Sequence, residues 1–299
     1  LRATQIEKNL LLPKKHNMEI LGIGNAIVDV ICKVNDSFIE QNNLTKSTMK
    51  LFFNENEFKN LLTNLKIEKT VSGGSVANSI VGLSQLGDKV GFIGKVSDDE
   101  FGSEYEEGLK KENVDYFYSK KKEELPTGTC LILVTPDSER TMCTFLGTAG
   151  KINENDVNSD VIKKSKIVFL EGYLWDEGEP KKAFDKAINN ANKVAMSLSD
   201  QFCVDRHKPH FLELVKNKLD ITFANEQEIT SLIDANDFNE VIEFSKQLGK
   251  LVVVTRGEKG AIAIQGDKII ETGIHQNLNI IDLTGAGDLF AAGYLHGII

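Results

Sequence analysis

A regular alternation of strand-like and helix-like segments runs through the second half of the chain. Short apolar runs typical of buried strands are followed by segments with apolar residues at helical spacing. Strands alternating with helices indicate βα units on a mostly parallel sheet, in which ligands bind beyond the carboxyl ends of the strands. The predicted strands are 167–170, 194–198, 221–224 and 251–255, and the predicted helices are 180–190, 210–216, 226–233 and 239–248.

One pair of segments departs from this alternation. Residues 129–135 and 141–146 alternate in the manner of strands and flank the turn-forming stretch 136–139. They predict a β-hairpin, whose antiparallel strands do not fit a parallel sheet. We therefore expect a β element outside the main sheet.

The stretch Asp-Leu-Thr-Gly-Ala-Gly-Asp at 282–288 precedes a segment, 289–299, whose small and apolar residues suit a buried helix. The Gly-Ala-Gly at 285–287 then stands at a helix N-terminus, where unpaired N–H groups and the helix dipole favour an anion. Each glycine would weaken an ordinary helix start by about 1 kcal/mol relative to alanine, which suggests that open backbone matters here. Asp288 is either a first-turn acid that favours the dipole or a carboxylate beside bound negative charge.

Polar residues also interrupt apolar sequence near the start of the chain. Residues 20–24 and 27–31 are strand-like and are separated by Asn25 and one alanine. The glycines of the first run do not begin a dinucleotide-binding loop, because no third glycine and no helix start follow. Asn25 and Asp29 offer an amide and a carboxylate that can hold vicinal hydroxyls, with a satisfied core or turn position for Asp29 as the alternative.

Three further patterns admit both a structural and a functional interpretation. Gly73 and Gly74 precede a predicted helix and either form a hinge or let the backbone approach a ligand, with Asn78 one turn into that helix. Asn225 with Glu228 is, in isolation, an N-cap and its capping-box partner. The hydroxyl and open amides of 255–260 suit phosphate oxygens. No Gly-x4-Gly-Lys-Ser/Thr sequence occurs, which excludes P-loop kinases.

The composition limits the classes of partner. A net charge of −9 over 299 residues argues against non-specific nucleic-acid binding, and no window approaches 18 apolar residues, so no membrane span is expected. The four cysteines lack metal-site or disulfide spacing, so we expect buried thiols in a reducing compartment, the cytoplasm. His207 and His210 are interpreted as a surface turn near Pro209 and not as a metal pair.

Taken in order, these motifs resemble those of the ribokinase-like (PfkB) family of small-molecule kinases, over residues 18–299. The resemblance implies a three-layer α/β fold with a mostly parallel sheet flanked by helices. It also implies a small β-sheet lid built from about 31–53 and 114–148. Residues 1–17 are expected to be a non-native or flexible leader before a start at Met18, and the family's fold normally continues beyond residue 299.

The resemblance also assigns the chemistry of phosphoryl transfer. Asp288 is the implied catalytic base, and the amides of Gly285, Ala286 and Gly287 form the implied anion hole for the transferred group. Such chemistry depends mainly on positioning and on neutralising charge. Arg140, beside the hairpin turn, is the candidate for positive charge delivered by the lid, with an ordinary solvated turn residue as the alternative.

The remaining implied contacts divide between the two substrates and a metal. The implied metal is Mg²⁺, held through water by Glu228 and Asn225 without a direct protein cage. ATP phosphates are assigned to Asn225, Thr255, Gly257 and Gly260. The acceptor is assigned to Asn25, Asp29, Gly73, Gly74, Asn78 and Tyr173.

Adenosine, converted to AMP, is the expected acceptor, because Asn25 and Asp29 look like the ribose-binding pair of adenosine kinases. Tyr173, Leu174 and Phe202 are candidates for a surface that holds the base, with ordinary core positions as the alternative. The alternatives in function are a sugar kinase for ribose, fructose or a related furanose, and a non-catalytic nucleoside-binding protein. A monomer is expected, and a monovalent cation such as K⁺ is an optional further cofactor.

Overall fold

The chain folds into two β-sheets and the helices that flank them, in a computed structural model that describes residues 18–176, 178–276 and 285–299. The predicted leader, 1–17, and residues 282–284 of the glycine-rich motif lie outside the described residues. The strands are β1 (Met18–Ile23), β2 (Ile27–Lys33), β3 (Met49–Phe52), β4 (Ile67–Gly73), β5 (Val90–Ile93), β6 (Asp115–Tyr116), β7 (Gly128–Val134), β8 (Arg140–Phe145), β9 (Ser165–Glu171), β10 (Val194–Ser197), β11 (Ile221–Asn225), β12 (Leu251–Thr255), β13 (Ala261–Gln265) and β14 (Lys268–Thr272). The α-helices are α1 (Asp36–Gln41), α2 (Glu55–Thr63), α3 (Ser75–Gln85), α4 (Glu100–Lys111), α5 (Ser159–Lys164), α6 (Glu179–Asn190), α7 (Gln201–Asn217), α8 (Glu226–Ile233), α9 (Phe238–Leu248) and α10 (Ala286–Ile298).

The larger sheet is mostly parallel, as the alternation of strands and helices predicted. Within the described residues its strand order is β14-β13-β12-β11-β10-β9-β1-β5-β6. Neighbours from β12 to β6 are parallel, while β13 and β14 add an antiparallel edge. The carboxyl ends of β1, β9, β10, β11 and β12 therefore lie along one edge of the sheet.

Two helical layers cover the larger sheet because successive side chains of each strand point to opposite faces. In β9, Ile167 and Phe169 face the layer that contains α3 and α10, whereas Val168 and Leu170 face the layer that contains α6 to α9. Burial of such side chains contributes about 1.5–3 kcal/mol each. The three-layer arrangement fixes α3 and α10 side by side above the same strands.

The smaller sheet has the strand order β3-β8-β7-β2-β4 among the described residues. The predicted hairpin is confirmed as β7 and β8, with Thr129 opposite Phe145 and Val134 opposite Arg140. The sheet also takes in β4 and begins at Ile27, outside the ranges 31–53 and 114–148 expected for the lid. The exposed, charged sequence of β4 lacks the alternation of a half-buried strand because β4 lies at an edge.

The connections between the sheets position the site. The chain leaves β1 of the larger sheet, passes through Asn25 and enters β2 of the smaller one. It returns through Gly73 and Gly74, which lead from β4 directly into α3. Side chains and backbone at these two crossings therefore meet at the carboxyl edge of the larger sheet.

The surface turn predicted for His207 and His210 is wrong. Both residues lie within α7, and His207 is buried, with its ring centroid 4.7 Å from that of Trp175. The backbone at His207 is non-helical, with φ −118° and ψ 18°. Pro209 explains the bend, because it lacks an N–H group and its ring crowds the preceding helical turn.

Two expectations drawn from composition concern the thiols and the membrane. All four cysteines fall within the described residues and are buried with free thiols, as predicted. In the described part of the chain, no helix combines the length and the apolar character that crossing a bilayer requires.

Candidate active site

Asp288 lies in the first turn of α10 and faces the first turn of α3. Its Oδ1 accepts a hydrogen bond of 2.7 Å from Ser75 Oγ, and its Oδ2 accepts one of 3.0 Å from Asn78 Nδ2. Ser79 Oγ donates to the backbone oxygen of Asp288 at 2.8 Å. The two glycine-led helix starts are thus joined through one carboxylate.

The protonation of Asp288 is set by opposing effects. Burial raises the pKa of its carboxyl, while the hydrogen bonds from Asn78 and Ser75 lower it. Both donors favour the ionised form, since a carboxylate accepts hydrogen bonds more strongly than the neutral acid does. The arrangement suits a group that accepts a proton during a reaction.

The backbone beside Asp288 is open. Gly285 is the N-cap of α10 and has a left-handed conformation, with φ 73°. Apart from its own helix, no described residue has an atom within 4 Å of a Cβ built on Gly287, which leaves space for an approaching group. Unpaired amides at a helix N-terminus with this much free space suit an anion.

A cavity of roughly 470 Å³, here called the strand-end cavity, lies beside these amides. The carboxyl ends of β10, β11 and β12 close one side of it, as expected for a ligand site on a parallel sheet. Gly74, Ser75 and Asn78, at the start of α3, also line it. Its polar lining also includes Tyr173, Ser197, Ser199, Asn225, Glu228, Thr255 and the segment 285–288.

Asn225 and Glu228 form the capping box that their spacing predicted. Glu228 accepts from the Asn225 backbone at 2.9 Å and from Nδ2 at 2.7 Å, while Asn225 Oδ1 accepts from the Glu228 backbone at 2.8 Å. Burial raises the pKa of Glu228 to about 7, partly offset by the Asn225 N–H bond. A cation in the strand-end cavity would favour the ionised form of this acid.

The loop after β12 carries the other predicted phosphate contacts. Thr255 lines the strand-end cavity. Gly257 and Gly260 follow it with φ of 57° and 83°, so both occupy conformations that favour glycine. Neither glycine lines the cavity itself, but the space beside Gly257 is open.

A second cavity, of roughly 720 Å³ and here called the lid-side cavity, is lined by β2, β4, α3 and α4. Asp29 lines this cavity and accepts no hydrogen bond from any described side chain or amide. Burial raises its pKa to about 6. Asn78 and Gly285 line both cavities, so both spaces border residues that lie next to Asp288.

Gly73 and Gly74 are required because atoms of Asp29 and Asn25 lie where a larger residue would place its Cβ. A Cβ on Gly73 would stand 2.7 Å from Asp29 Cγ, and one on Gly74 would collide with the backbone oxygen of Asn25. Gly74 also has φ 106°, which other residues adopt only with strain. Both glycines therefore let the smaller sheet approach the start of α3.

Sequence reasoning missed Glu171, which ends β9. Its side chain is 1% exposed and accepts hydrogen bonds from Asn25 and from the Val76 backbone. In the sequence Glu171 is a single acid at the end of an apolar run. A polar residue at the carboxyl end of a predicted strand is the feature that could have identified it as a site residue. Its bonding partners lie far away along the chain, so the pattern alone did not identify them.

A family model described as pfkB family carbohydrate kinase matches residues 33–299. The chain belongs to the PfkB family of carbohydrate kinases. It is therefore a sugar or nucleoside kinase with the ribokinase-like α/β fold, and this membership implies a small-molecule acceptor and ATP with a divalent metal.

Individual relatives bear different names. The structure is similar to that of an adenosine kinase from Sinorhizobium meliloti, with 37% identity, a TM-score of 0.84 and coverage of 94% of this chain and 87% of the other. A probable sugar kinase from Rhizobium etli has 35% identity, a TM-score of 0.83 and coverage of 95% and 87%. A 5-dehydro-2-deoxygluconokinase of Mesomycoplasma hyopneumoniae is 26% identical over 266 residues, which are 81% of this chain and 76% of that protein.

Not every predicted site residue of this PfkB kinase lies at the site. Arg140 is opposite Val134 at the far end of the hairpin, about 17 Å along the strands from Phe145 at a strand rise of about 3.4 Å. It lines neither cavity. Leu174 is buried in the core, and Phe202 is 84% exposed outside both cavities, so of the three proposed base contacts only Tyr173 lines one.

Asn225 and Glu228 offer oxygen atoms that fit a hydrated divalent metal. Among the described residues no group of three or more His, Cys, Asp or Glu could hold a metal directly. Glu228 faces the strand-end cavity with both oxygens already bonded to Asn225. Oxygen ligands of this kind suit contact through metal-bound water.

Proposed function

We propose that this kinase transfers the γ-phosphoryl group of ATP to the primary hydroxyl of a ribosyl compound, with adenosine as the acceptor. The observation that carries the proposal is that Asn78 and Gly285, which stand beside Asp288, line both cavities. A donor phosphate in one cavity and an acceptor hydroxyl from the other would come together at one carboxylate. Positioning of this kind is the main requirement of phosphoryl transfer.

The acceptor is assigned to the lid-side cavity because Asp29 faces it without a hydrogen-bond donor. A diol would supply donors to this carboxylate and favour its ionised form. Gly73 lets the carboxylate stand close to the start of α3, and Asn78 lies between Asp29's cavity and Asp288. Tyr173, the candidate for contact with the base, lines the strand-end cavity, so the base of the acceptor would extend past Asn78 into that cavity.

The donor is assigned to the strand-end cavity. The amides of Gly285, Ala286 and Gly287 would receive the charge of the transferred group, with Thr255, Gly257 and Gly260 near the other phosphates. Asp288 would take the proton of the acceptor hydroxyl as the new P–O bond forms. Mg²⁺, held through water near Asn225 and Glu228, would neutralise phosphate oxygens.

The 37% identity to a protein named adenosine kinase favours a nucleoside acceptor over a free sugar. The 35% identity to a probable sugar kinase is the observation that supports the second candidate. The Arg140 assignment remains a prediction that needs lid movement. A monomer, a K⁺ requirement and a cytoplasmic location also stay predictions, and light scattering tests the first of them.

The test is ADP release by the full-length protein with Mg-ATP and adenosine, ribose, fructose or other nucleosides at equal concentration. The expected result is a kcat/KM for adenosine at least tenfold above that for any free sugar. Preference for a free sugar would leave Asp288 as the proposed base but would refute adenosine as the acceptor. Adenosine binding by calorimetry without ADP release would support a non-catalytic binding protein instead.

A further inference from the structure

Glu171 is a buried acid that the proposed reaction does not use. It stands at the carboxyl end of β9, is 1% exposed and lies against Gly24, where a Cβ would stand 3.1 Å from the Glu171 carboxyl carbon. A charge in such a place is costly unless hydrogen-bond donors surround it. The hydrogen-bond donors that surround Glu171 therefore indicate its role.

Two of the donors come from Asn25. Glu171 Oε1 accepts a bond of 2.8 Å from Asn25 Nδ2 and one of 3.3 Å from the Asn25 backbone. Burial raises the pKa of Glu171 to about 7, while the bonds from Val76 and Asn25 lower it. In its ionised form the carboxylate only accepts, and it then fixes which end of the Asn25 amide faces it. Among the described residues Asn25 Oδ1 is buried without a hydrogen-bond partner, and an unsatisfied acceptor of this kind is suited to an O–H donor on a ligand.

The third donor is the start of α3. Glu171 Oε2 accepts from the Val76 backbone at 3.0 Å. The N-cap of this helix is Gly74, which has no side chain to supply that bond. Ser75 and Asn78, in the same first turn, are the residues that donate to Asp288.

We propose that Glu171 is a positioning residue that holds the Asn25 amide and the first turn of α3 in the arrangement required by the acceptor and by Asp288. This inference rests on the proposed function and deepens it. It restricts the acceptor to molecules that offer one hydroxyl donor to Asn25 Oδ1 and another to the carboxylate of Asp29. Asn25 lines neither cavity, so its buried Oδ1 must become accessible when the acceptor binds. Both oxygens of Glu171 are already occupied by N–H groups of Asn25 and Val76, so Glu171 acts through these groups.

The test uses Glu171→Gln in the full-length protein. The variant keeps the side-chain volume but turns one acceptor oxygen into a donor, so one of the three N–H groups faces another N–H. We expect KM for the best acceptor of the wild type to rise, or kcat to fall, by about tenfold or more, the effect of losing a hydrogen bond to a charged group. KM for ATP should change less than about twofold.

Double variants distinguish a positioning role of Glu171 from a general destabilisation of the fold. Asn25→Ala and Asn78→Ala are combined with Glu171→Gln, and in at least one pair the combined loss should fall well short of the product of the single losses. Asp156→Asn removes a carboxylate whose side chain is 4% exposed, in the Lys95 cluster, and is the matched control for stability. It should lower the melting temperature without changing the ratio of acceptor KM to ATP KM.

A measurement on the protein without substrates keeps this inference separate from the proposed function. Amide hydrogen exchange of Asn25 and Val76 should accelerate at least about tenfold in Glu171→Gln relative to Asp156→Asn. Unchanged exchange, or kinetic losses that multiply fully in both pairs, would overturn the positioning role. A wild type without turnover would overturn the proposed function, and the exchange result would still decide the role of Glu171.

Discussion

Asn78 Nδ2 lies 3.0 Å from Oδ2 of Asp288, although 210 positions separate the two residues along the chain. Asn78 is in the first turn of α3 and Asp288 in the first turn of α10, and these helices pack side by side on the larger sheet. The hydrogen bond therefore connects α3, which lines the proposed acceptor cavity, directly to the proposed base. Its consequences can be tested one residue at a time.

Replacing the proposed base should separate catalysis from binding. In Asp288→Asn, we expect kcat to fall by about 100-fold or more because no carboxylate remains to accept the hydroxyl proton. The dissociation constants of both substrates, measured by calorimetry, should stay within about threefold. Asp88→Asn, beside His296 at the other end of α10, is the control and should retain activity. Full turnover by Asp288→Asn would refute the assignment of the base.

The Ser75 hydroxyl should tune the acid side of the pH–rate profile. Its hydrogen bond to Asp288 lowers the pKa of that carboxyl, so Ser75→Ala should raise it. A base must be ionised, and the acidic limb of kcat/KM should therefore move to higher pH. At pH 8 the rate should change less than about threefold. Ser84→Ala, later in α3, bonds only to the backbone at Glu112 and Asn113 and should leave the profile in place.

A methyl group on Gly73 should weaken acceptor binding. It would stand 2.7 Å from Asp29 Cγ, so the carboxylate or the strand must move. Overpacking typically costs about 1–3 kcal/mol, and we expect acceptor KM to rise about tenfold in Gly73→Ala. Gly150→Ala meets only ordinary contacts, at 3.6 Å, and serves as the control. Equal acceptor KM values in the two variants would contradict the close approach described for Asp29.

The unpaired carboxylate of Asp29 should make stability depend on pH. Burial raises its pKa from 3.8 to about 6 in the folded protein. Between these values the folded state holds a proton that the unfolded state has lost, so stability falls as pH rises from about 4 to about 7. Asp29→Asn lacks this ionisation and should be more stable than wild type by about 1–3 kcal/mol at pH 8, with a much smaller gain at pH 4.

Urea unfolding at the two pH values measures this effect. Asp115→Asn removes an exposed acid from the edge strand β6 and should show no such gain. Acceptor KM in Asp29→Asn should meanwhile rise about tenfold or more, because the diol loses a charged partner. A variant less stable than wild type at pH 8 would mean that Asp29 has a structural partner.

Arg140→Ala tests whether the lid carries charge to the phosphates. The residue lies about 17 Å along the hairpin from the end that adjoins the site, and we expect kcat and KM for ATP to change less than about twofold. Lys33→Ala is the matched control, because Lys33 lies at the same level on β2, opposite Val134 and two strands away from Arg140. A tenfold loss confined to Arg140→Ala would mean that the smaller sheet moves far enough to bring this cation to ATP.

Local sequence was sufficient for most elements of the fold. The predicted ranges 226–233 and 251–255 coincide with α8 and β12, and the hairpin appears where its alternation placed it. Hydrophobic periodicity and turn-forming residues act over a few positions, so they predict helices, strands and hairpins from the sequence alone. The kink in α7 was not predicted, since a proline after two polar residues resembles a turn until tertiary packing buries His207 against Trp175.

The sequence by itself indicated a mostly parallel α/β sheet and the glycine-led helix starts, and its resemblance to the PfkB family supplied the candidates Asp288, Asn78 and Asp29. Periodicity and short motifs are visible in the chain without knowledge of its tertiary contacts. Only the tertiary structure decided that Glu171 joins Asn25 to α3 and that Arg140 stands apart from the cavities. Strand order and helix packing set those distances, and they depend on contacts between segments that are far apart along the chain.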